Sequence, residues 1–483
     1  MTIRELLGGR LAVPINLSPC LNAINQCPEA QLVNFRFRDV EYGNRAQAEF
    51  LQSGGLILGF PGSSLASDGS EVSECSIEGS HDVALPIYFC YRQNAWTDRH
   101  QTVLLYMMFV FLSNFSTILY FLTVYLEFVG LSMVAISSMM VAYQVSKFIL
   151  EVPTGYIADR FGRKTSGLVG VVGMLGYYAA LLLVRSPLLL IGAFALKGFA
   201  VACVSGSIEA IYIDSVSQDQ LVRLNVVERF VFYASYAISA CVGGFISSVG
   251  AYLIGLSADI IAMVLTLVVV VCIPEMQRGS TAGTLERGIS PKMIGAAIAC
   301  NGILRSAFIM DCSQAFAFVA LEDFFSLLLA GRGMNAVASG VTIAVQLLAS
   351  ASMGLIVPSV IAHVDKGRFA RICGIIRLVL TALFLIPLTP ANLLPVFYVL
   401  QTVAYSLFAP IKYSVFQNAA DSSMRCSLIS VQSQMVAVGA VLFYLLNAVL
   451  SSVAGIRVVL LVALGISSLA YIPALFRLTS QRT

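Results

Sequence analysis

Charge is scarce in this sequence. Only 11% of its 483 residues are Asp, Glu, Lys or Arg, while 58% are apolar and the mean hydropathy is +0.85. A soluble domain needs about twice that share of charge to clothe its surface, so a soluble globular chain is excluded and a polytopic membrane protein is indicated. Histidine is almost missing: His81, His100 and His363 stand far apart. The eleven cysteines are scattered without paired metal-ligand spacing. These two scarcities leave no metal site and no nucleophile–base–acid set, and the reading is that of a non-enzyme without a metal or cofactor. No Gly-rich phosphate-cradling motif occurs, which argues against ATP drive. The formal net charge of +3 is too small to suggest nucleic acid as a partner.

Residues 1–100 are polar and rich in Gly, Ser and Asn, with loop-like clusters at 61–70 and 73–80. They are expected to form a cytosolic extension, poorly ordered or a small appendage. The start, Met1-Thr-Ile-Arg-Glu-Leu-Leu, lacks the apolar core of a cleaved signal peptide. From Thr102 onward apolar runs follow one another, each near the roughly 20 residues needed to cross about 30 Å of hydrocarbon. Twelve are expected, near 102–125, 131–152, 166–184, 187–212, 229–249, 253–273, 304–330, 337–362, 370–388, 392–412, 427–450 and 456–476. They divide into a six-helix bundle at 101–273 and another at 304–476. Between them lies a linker at 274–303, with an interfacial helix suggested from Met293 to Leu304, and a tail follows at 477–483. Basic residues collect in the loops of one side, among them Arg160, Arg163, Lys164, Lys366, Arg368, Arg371 and Arg425. The positive-inside rule makes that side cytoplasmic and places both termini there, in a cytoplasmic membrane.

The stretch Glu151-Val-Pro-Thr-Gly-Tyr-Ile-Ala-Asp-Arg-Phe-Gly-Arg-Lys164 reads as a charged hairpin turn, with Pro153, Gly155 and Gly162 expected to end the second span and reverse the chain. Within it, Gly155, Asp159, Arg160, Gly162, Arg163 and Lys164 resemble the loop motif between the second and third helices of the major facilitator superfamily. The Glu-x-Pro-Thr-Gly lead and Ser205-Gly-Ser-Ile-Glu-Ala210, with Asp214, resemble one bacterial branch of it. A decayed copy, Ala362-His-Val-Asp-Lys-Gly-Arg368, follows the eighth span. The resemblance implies an all-α fold of two pseudo-symmetric bundles with substrate between them. Asp159, a carboxylate in an otherwise basic turn, is expected to bond a basic neighbour or the start of the eleventh span near Arg425 to Ser430.

Ionisable groups inside a span cost about 2.5–3.5 kcal/mol each on insertion scales and call for a reason. Lys197 and Asp311 lie about a third of the way into the fourth and seventh spans, and Lys197 resembles a basic residue that many proton-linked facilitators carry there. Because the resemblance assigns the first, fourth, seventh and tenth spans to the cavity, the expected lining is Asn114, Lys197, Asp311, Gln314, Gln401 and Tyr405. Asp259, Glu322 and Asp323 fall nearer the outer face, where solvation explains them as well as function does. Lys147 and Glu151, one helical turn apart, are expected to pair. Asp311 or Glu209 is the expected proton-coupling acid. Glu209 and Lys412, at related ends of the fourth and tenth spans, are expected to form an inner gate made in one access state. The implied function is secondary transport of a small organic molecule by alternating access, as proton-coupled efflux by a monomer within the lipid bilayer. Import or uniport, and a non-transporting sensor or scaffold displaying residues 1–100, stand as alternatives.

Overall fold

In the computed structural model, the described residues are 95–216, 218–274, 291–421 and 424–480, with five short strands between residues 36 and 90. The N-terminal unit pairs Arg36–Phe37 with Ala48–Glu49, both strands antiparallel. It also builds a three-stranded antiparallel sheet in which Ala84–Cys90 lies between Gly55–Leu58 and Val72–Glu78.

The membrane unit is helical throughout. Ten of its described helices are long and apolar enough to cross a bilayer. The expected twelve passes are reconciled by two features. Arg425–Thr479 is a helical run of 55 residues, about 80 Å at 1.5 Å per residue, that Gly455 (φ 69°) breaks into the eleventh and twelfth spans. Lys366–Leu385, the ninth span, carries Lys366, Arg368, Arg371 and Arg377 and is less apolar than the ten. The linker contributes a separate helix at Pro291–Cys300, after which Asn301 caps the seventh span by accepting from the N–H groups of Ile303 and Leu304.

Several helix boundaries differ from the sequence expectation, the fifth span running Gln218–Ser248 and the tenth Leu394–Ala419, and three of the differences have a local reason. The second span does not stop at Pro153 or Gly155: it runs Met133–Phe161, and only Gly162 (φ 96°) separates it from the third span, Arg163–Leu183. Pro153 removes one backbone donor. The Thr154 hydroxyl, 2.8 and 3.1 Å from the carbonyls of Leu150 and Glu151, engages this turn. The first span is interrupted between Asn114 and Leu119. There Asp259 of the sixth span accepts from Thr117 N–H (2.7 Å), Ile118 N–H (3.2 Å) and the hydroxyls of Ser116 and Thr117 (3.0 and 2.9 Å). Asp259 is thus no solvated outer residue but a fully buried cap on the broken first span (0% exposed). The fourth span, Pro187–Val204, bends at Gly206 (φ 73°) and continues as Ser207–Ser215. Lys147 and Glu151, expected to pair, form no salt bridge or hydrogen bond with each other.

The two bundles repeat the same devices. Gly243 of the fifth span packs so closely on the break in the first that a Cβ there would lie 2.1 Å from the Thr117 carbonyl; Gly439 of the eleventh would meet the Cys312 carbonyl of the seventh at 2.2 Å. The seventh span passes through a π-helical turn, Ala315–Val319, just beyond that contact. At the loop-motif side, Lys164 donates to the carbonyls of Val271 and Ile273 (2.8 Å each), closing the C-terminal end of the sixth span. In the second bundle, Gly367 lies against the Thr479 carbonyl at the end of the twelfth span, and Asp365 caps the ninth by accepting from Arg368 N–H (2.6 Å).

The bundles meet on the side opposite the loop motif. There Gly340 of the eighth span would place a Cβ 2.3 Å from the Ala240 carbonyl of the fifth, and Gly244 would meet the Ala336 carbonyl at 2.8 Å. Asn447 of the eleventh span donates to the Ser137 hydroxyl of the second (2.8 Å), and Thr123 of the first donates to the Asp323 carbonyl of the seventh (3.0 Å). Toward the loop motif the second, fifth, eighth and eleventh spans lose their burial. Among the described side chains only Thr154 is buried in the second span after Met140, none in the fifth before Ser235, only Val357 in the eighth after Leu347, and only Leu428 in the eleventh before Gly439. Small residues let the backbones touch on one side, while the bundles part on the other.

Candidate transport site

Three layers of polar side chains cross the interior of the membrane unit. The layer nearest the loop motif is an ion pair: Lys412 of the tenth span donates to Asp311 of the seventh, and Gln432 of the eleventh donates to the other carboxylate oxygen at 2.8 Å. Both charged side chains are buried, and Asp311 is saturated by helices of its own bundle. Lys412 therefore does not meet Glu209 in this structure. Glu209 is exposed on the short helix beyond the Gly206 bend. Nearby, Tyr106 stacks on Tyr212 with centroids 4.0 Å apart and donates to Glu228 at 3.0 Å.

The middle layer is organised by Arg377 of the ninth span, 2% exposed. Its guanidinium donates to Gln314 and, at 3.3 Å, to Gln401, and lies 3.7 Å from the ring centre of Phe318 and 4.1 Å from that of Tyr405. Gln401 in turn donates to Thr402 (2.7 Å). Three of the expected lining residues, Gln314, Gln401 and Tyr405, are therefore brought together as the housing of an arginine that the cavity assignment of spans had passed over. A signal for it was present: Ile375-Ile-Arg-Leu-Val379 places a charge in the middle of an apolar span, where it needs a reason.

The third layer joins the bundles. Asp323 accepts from the Tyr444 hydroxyl, and its backbone carbonyl accepts from Thr123 across the seam. Lys197 has no hydrogen bond and no salt bridge with any described residue; its ammonium lies 5.1 and 4.8 Å from the ring centres of Tyr143 and Tyr177. The carboxylates whose fields act on it are Asp323 and Asp259. Glu322, beside Asp323 and partly exposed, likewise has neither hydrogen bond nor salt bridge among the described residues, and Arg377 is the cation whose field reaches it. Asn114 accepts from Tyr236 at 3.0 Å and donates to the Val110 carbonyl at 2.7 Å, holding the end of the first helix segment to the fifth span.

The loop motif is described in part. Lys164 caps the sixth span, Gly162 supplies the positive-φ break, and Arg160 lies 5.6 Å from the Phe161 ring centre. Arg160 and Arg163 have further partners, and Gly155 sits in the helix with open space where a Cβ would go. The side chains of Asp159 and Asp214 lie outside the described residues. Among the described residues, no group of His, Cys, Asp and Glu is placed to hold a metal ion.

Comparison with curated protein sequences gives no match. Among solved structures the fold is similar to the nucleoside transporter NupG (TM-score 0.63, 16% identity, 81% of this chain and 100% of that one). It is also similar to a D-xylose–proton symporter (0.61, 12%, 78% and 96%). A third likeness is to a bacterial homologue of the iron transporter ferroportin in an inward-facing state (0.61, 14%, 80% and 100%). At these identities the likeness is one of fold. The family model described as Major Facilitator Superfamily matches residues 103–398, more than half of the sequence, and with the helical bundles and polar layers described above this chain belongs to that superfamily of multi-pass membrane transporters, which are not enzymes.

Proposed function

We propose that the protein is a secondary transporter that exports a small organic molecule by alternating access in exchange for protons. It acts as a monomer in the cytoplasmic membrane with both termini in the cytoplasm. The loop motif and its Glu-x-Pro-Thr-Gly lead favour the bacterial branch they resemble. The observation that carries the reading is the one-sided packing of the bundles around a charged interior. The seam is tight where Gly244 and Gly340 let backbones touch, and loose toward the loop motif. With that side cytoplasmic by the positive-inside rule, the arrangement is the one open to the cytoplasm, ready to load a molecule for export.

Asp311 is the first choice for the coupling acid. Protonation would cancel the charge that Lys412 and Gln432 hold, freeing Lys412. The released ammonium is then available to Glu209, so the inner gate between these two belongs to the other access state. The purified protein, reconstituted into proteoliposomes under an imposed pH gradient, tests the reading with metabolites of the producing cell. Gradient-dependent flux that Asp311→Asn or Glu209→Gln decouples from pH is expected. Flux indifferent to the gradient in wild type would overturn proton coupling, and accumulation in whole cells rather than expulsion would overturn export.

A further inference from the structure

Lys197 and Glu322 are opposite charges on opposite bundles, and both lack their natural partners. The Lys197 ammonium has three donors and no acceptor among the described residues, only the faces of Tyr143 and Tyr177. The Glu322 carboxylate has no donor among them. Each sits well inside a span and each is partly exposed, whereas the other charges of the three polar layers are occupied. Asp311 is bound to Lys412 and Gln432, Asp323 receives Tyr444, Asp259 caps the first span, and Arg377 is stacked and held by two glutamines. Unmatched ionised groups at this depth are costly unless a ligand completes them.

We propose that the transported molecule is a small zwitterion, its ammonium seated on Glu322 and its carboxylate on Lys197. A molecule bearing only a cation would meet the fields of Lys197 and Arg377, and one bearing only an anion those of Glu322 and Asp323. A dipolar molecule laid from one bundle to the other satisfies both. Arg377 is not assigned the carboxylate, because Phe318 and Tyr405 lie against its guanidinium and its Nε and Nη1 donate to Gln401 and Gln314. Around this pair Tyr120 and Tyr236 stand edge to face, centroids 6.1 Å apart, offering an apolar wall with hydroxyl rims. A ligand bridging the bundles also draws them together, which a closing step requires.

This assignment rests on the transport reading, yet equilibrium binding tests it separately. Full-length protein in detergent is screened by its thermal unfolding midpoint against the common amino acids and short dipeptides, together with their amides (cation only) and des-amino acids (anion only). Stabilisation by zwitterionic members is expected, with the matched amide and des-amino acid at least about tenfold weaker in Kd. Glu322→Gln should bring a zwitterion and its des-amino analogue to similar affinity, and Lys197→Met should do so for the amide. Glu322→Asp and Lys197→Arg, which keep the charges, should preserve the preference and show that the neutral variants failed through charge and not folding. A best binder with one charge or none, a panel without a zwitterionic hit, or affinities that both neutral variants leave unchanged would overturn the assignment. Absence of proton-driven flux would count against coupling alone and leave the binding preference standing.

Discussion

Lys412 and Asp311 form a buried ion pair that ties the tenth span to the seventh, with Gln432 closing the second carboxylate oxygen from the eleventh. Removing one member leaves the other charge buried and unmatched, which costs roughly 3–5 kcal/mol for pairs of this kind. Asp311→Asn or Lys412→Met alone should therefore lower the unfolding midpoint in detergent markedly. The double variant should recover more than half of the loss. Simple additivity of the two would show that the pair is not coupled.

Arg377 makes two demands that a lysine cannot meet: a planar group lying against Phe318 and Tyr405, and donors directed at two separate amide oxygens. Arg377→Lys is expected to keep the charge and still lose transport by at least about tenfold, a barrier change of roughly 1.4 kcal/mol. Initial-rate flux in proteoliposomes checks this. Wild-type flux in the lysine variant would reduce the residue to its charge.

Asp259 accepts four hydrogen bonds at the break in the first span, two of them from backbone N–H groups that have no water to turn to. Asp259→Ala should destabilise by about 1–3 kcal/mol, with Asp259→Asn milder because one acceptor oxygen remains. Thermal unfolding of the two variants gives the order. Equal stability of wild type and the alanine variant would deny the cap its role.

Ser137 and Asn447 are joined across the seam on the side where the bundles meet. Cysteines at both positions, in a background lacking reactive native thiols, should be bridged by a short bis-methanethiosulfonate cross-linker, which joins them through reducible disulfides. Flux should fall to background and return on reduction, because alternating access requires this seam to open. Unimpaired flux by the bridged protein would show that the seam is static.

In the loop motif, Lys164 holds the last carbonyls of the sixth span, and Lys164→Met is expected to cost about 0.3–1 kcal/mol. Asp159→Asn should leave surface expression intact and cut flux several-fold, since the carboxylate is proposed to stabilise one access state. Normal flux by the asparagine variant would remove that proposal.

Class, number of passes and family were legible in the sequence because they depend on quantities summed along the chain. Runs of about 20 apolar residues can only be membrane helices, and the Asp159–Lys164 signature stands at the loop between the second and third. Several residues of the interior were legible too, since a Lys or Asp within such a run announces itself, as Lys197 and Asp311 do. Pairing was not legible. Lys412 and Asp311 are 101 residues apart and Asp259 reaches Thr117 over 142. Whether Asp259 is solvated or caps a broken helix therefore depends on which span lies beside it. The tertiary structure alone decided that Pro153 stays within a helix, that Arg377 is the centre on which Gln314, Gln401 and Tyr405 converge, and that Lys197 and Glu322 have neither hydrogen bond nor salt bridge among the described residues. Hydropathy is additive along a chain and survives in one dimension. A hydrogen bond or an unmatched charge exists only between groups that folding has brought within a few ångströms.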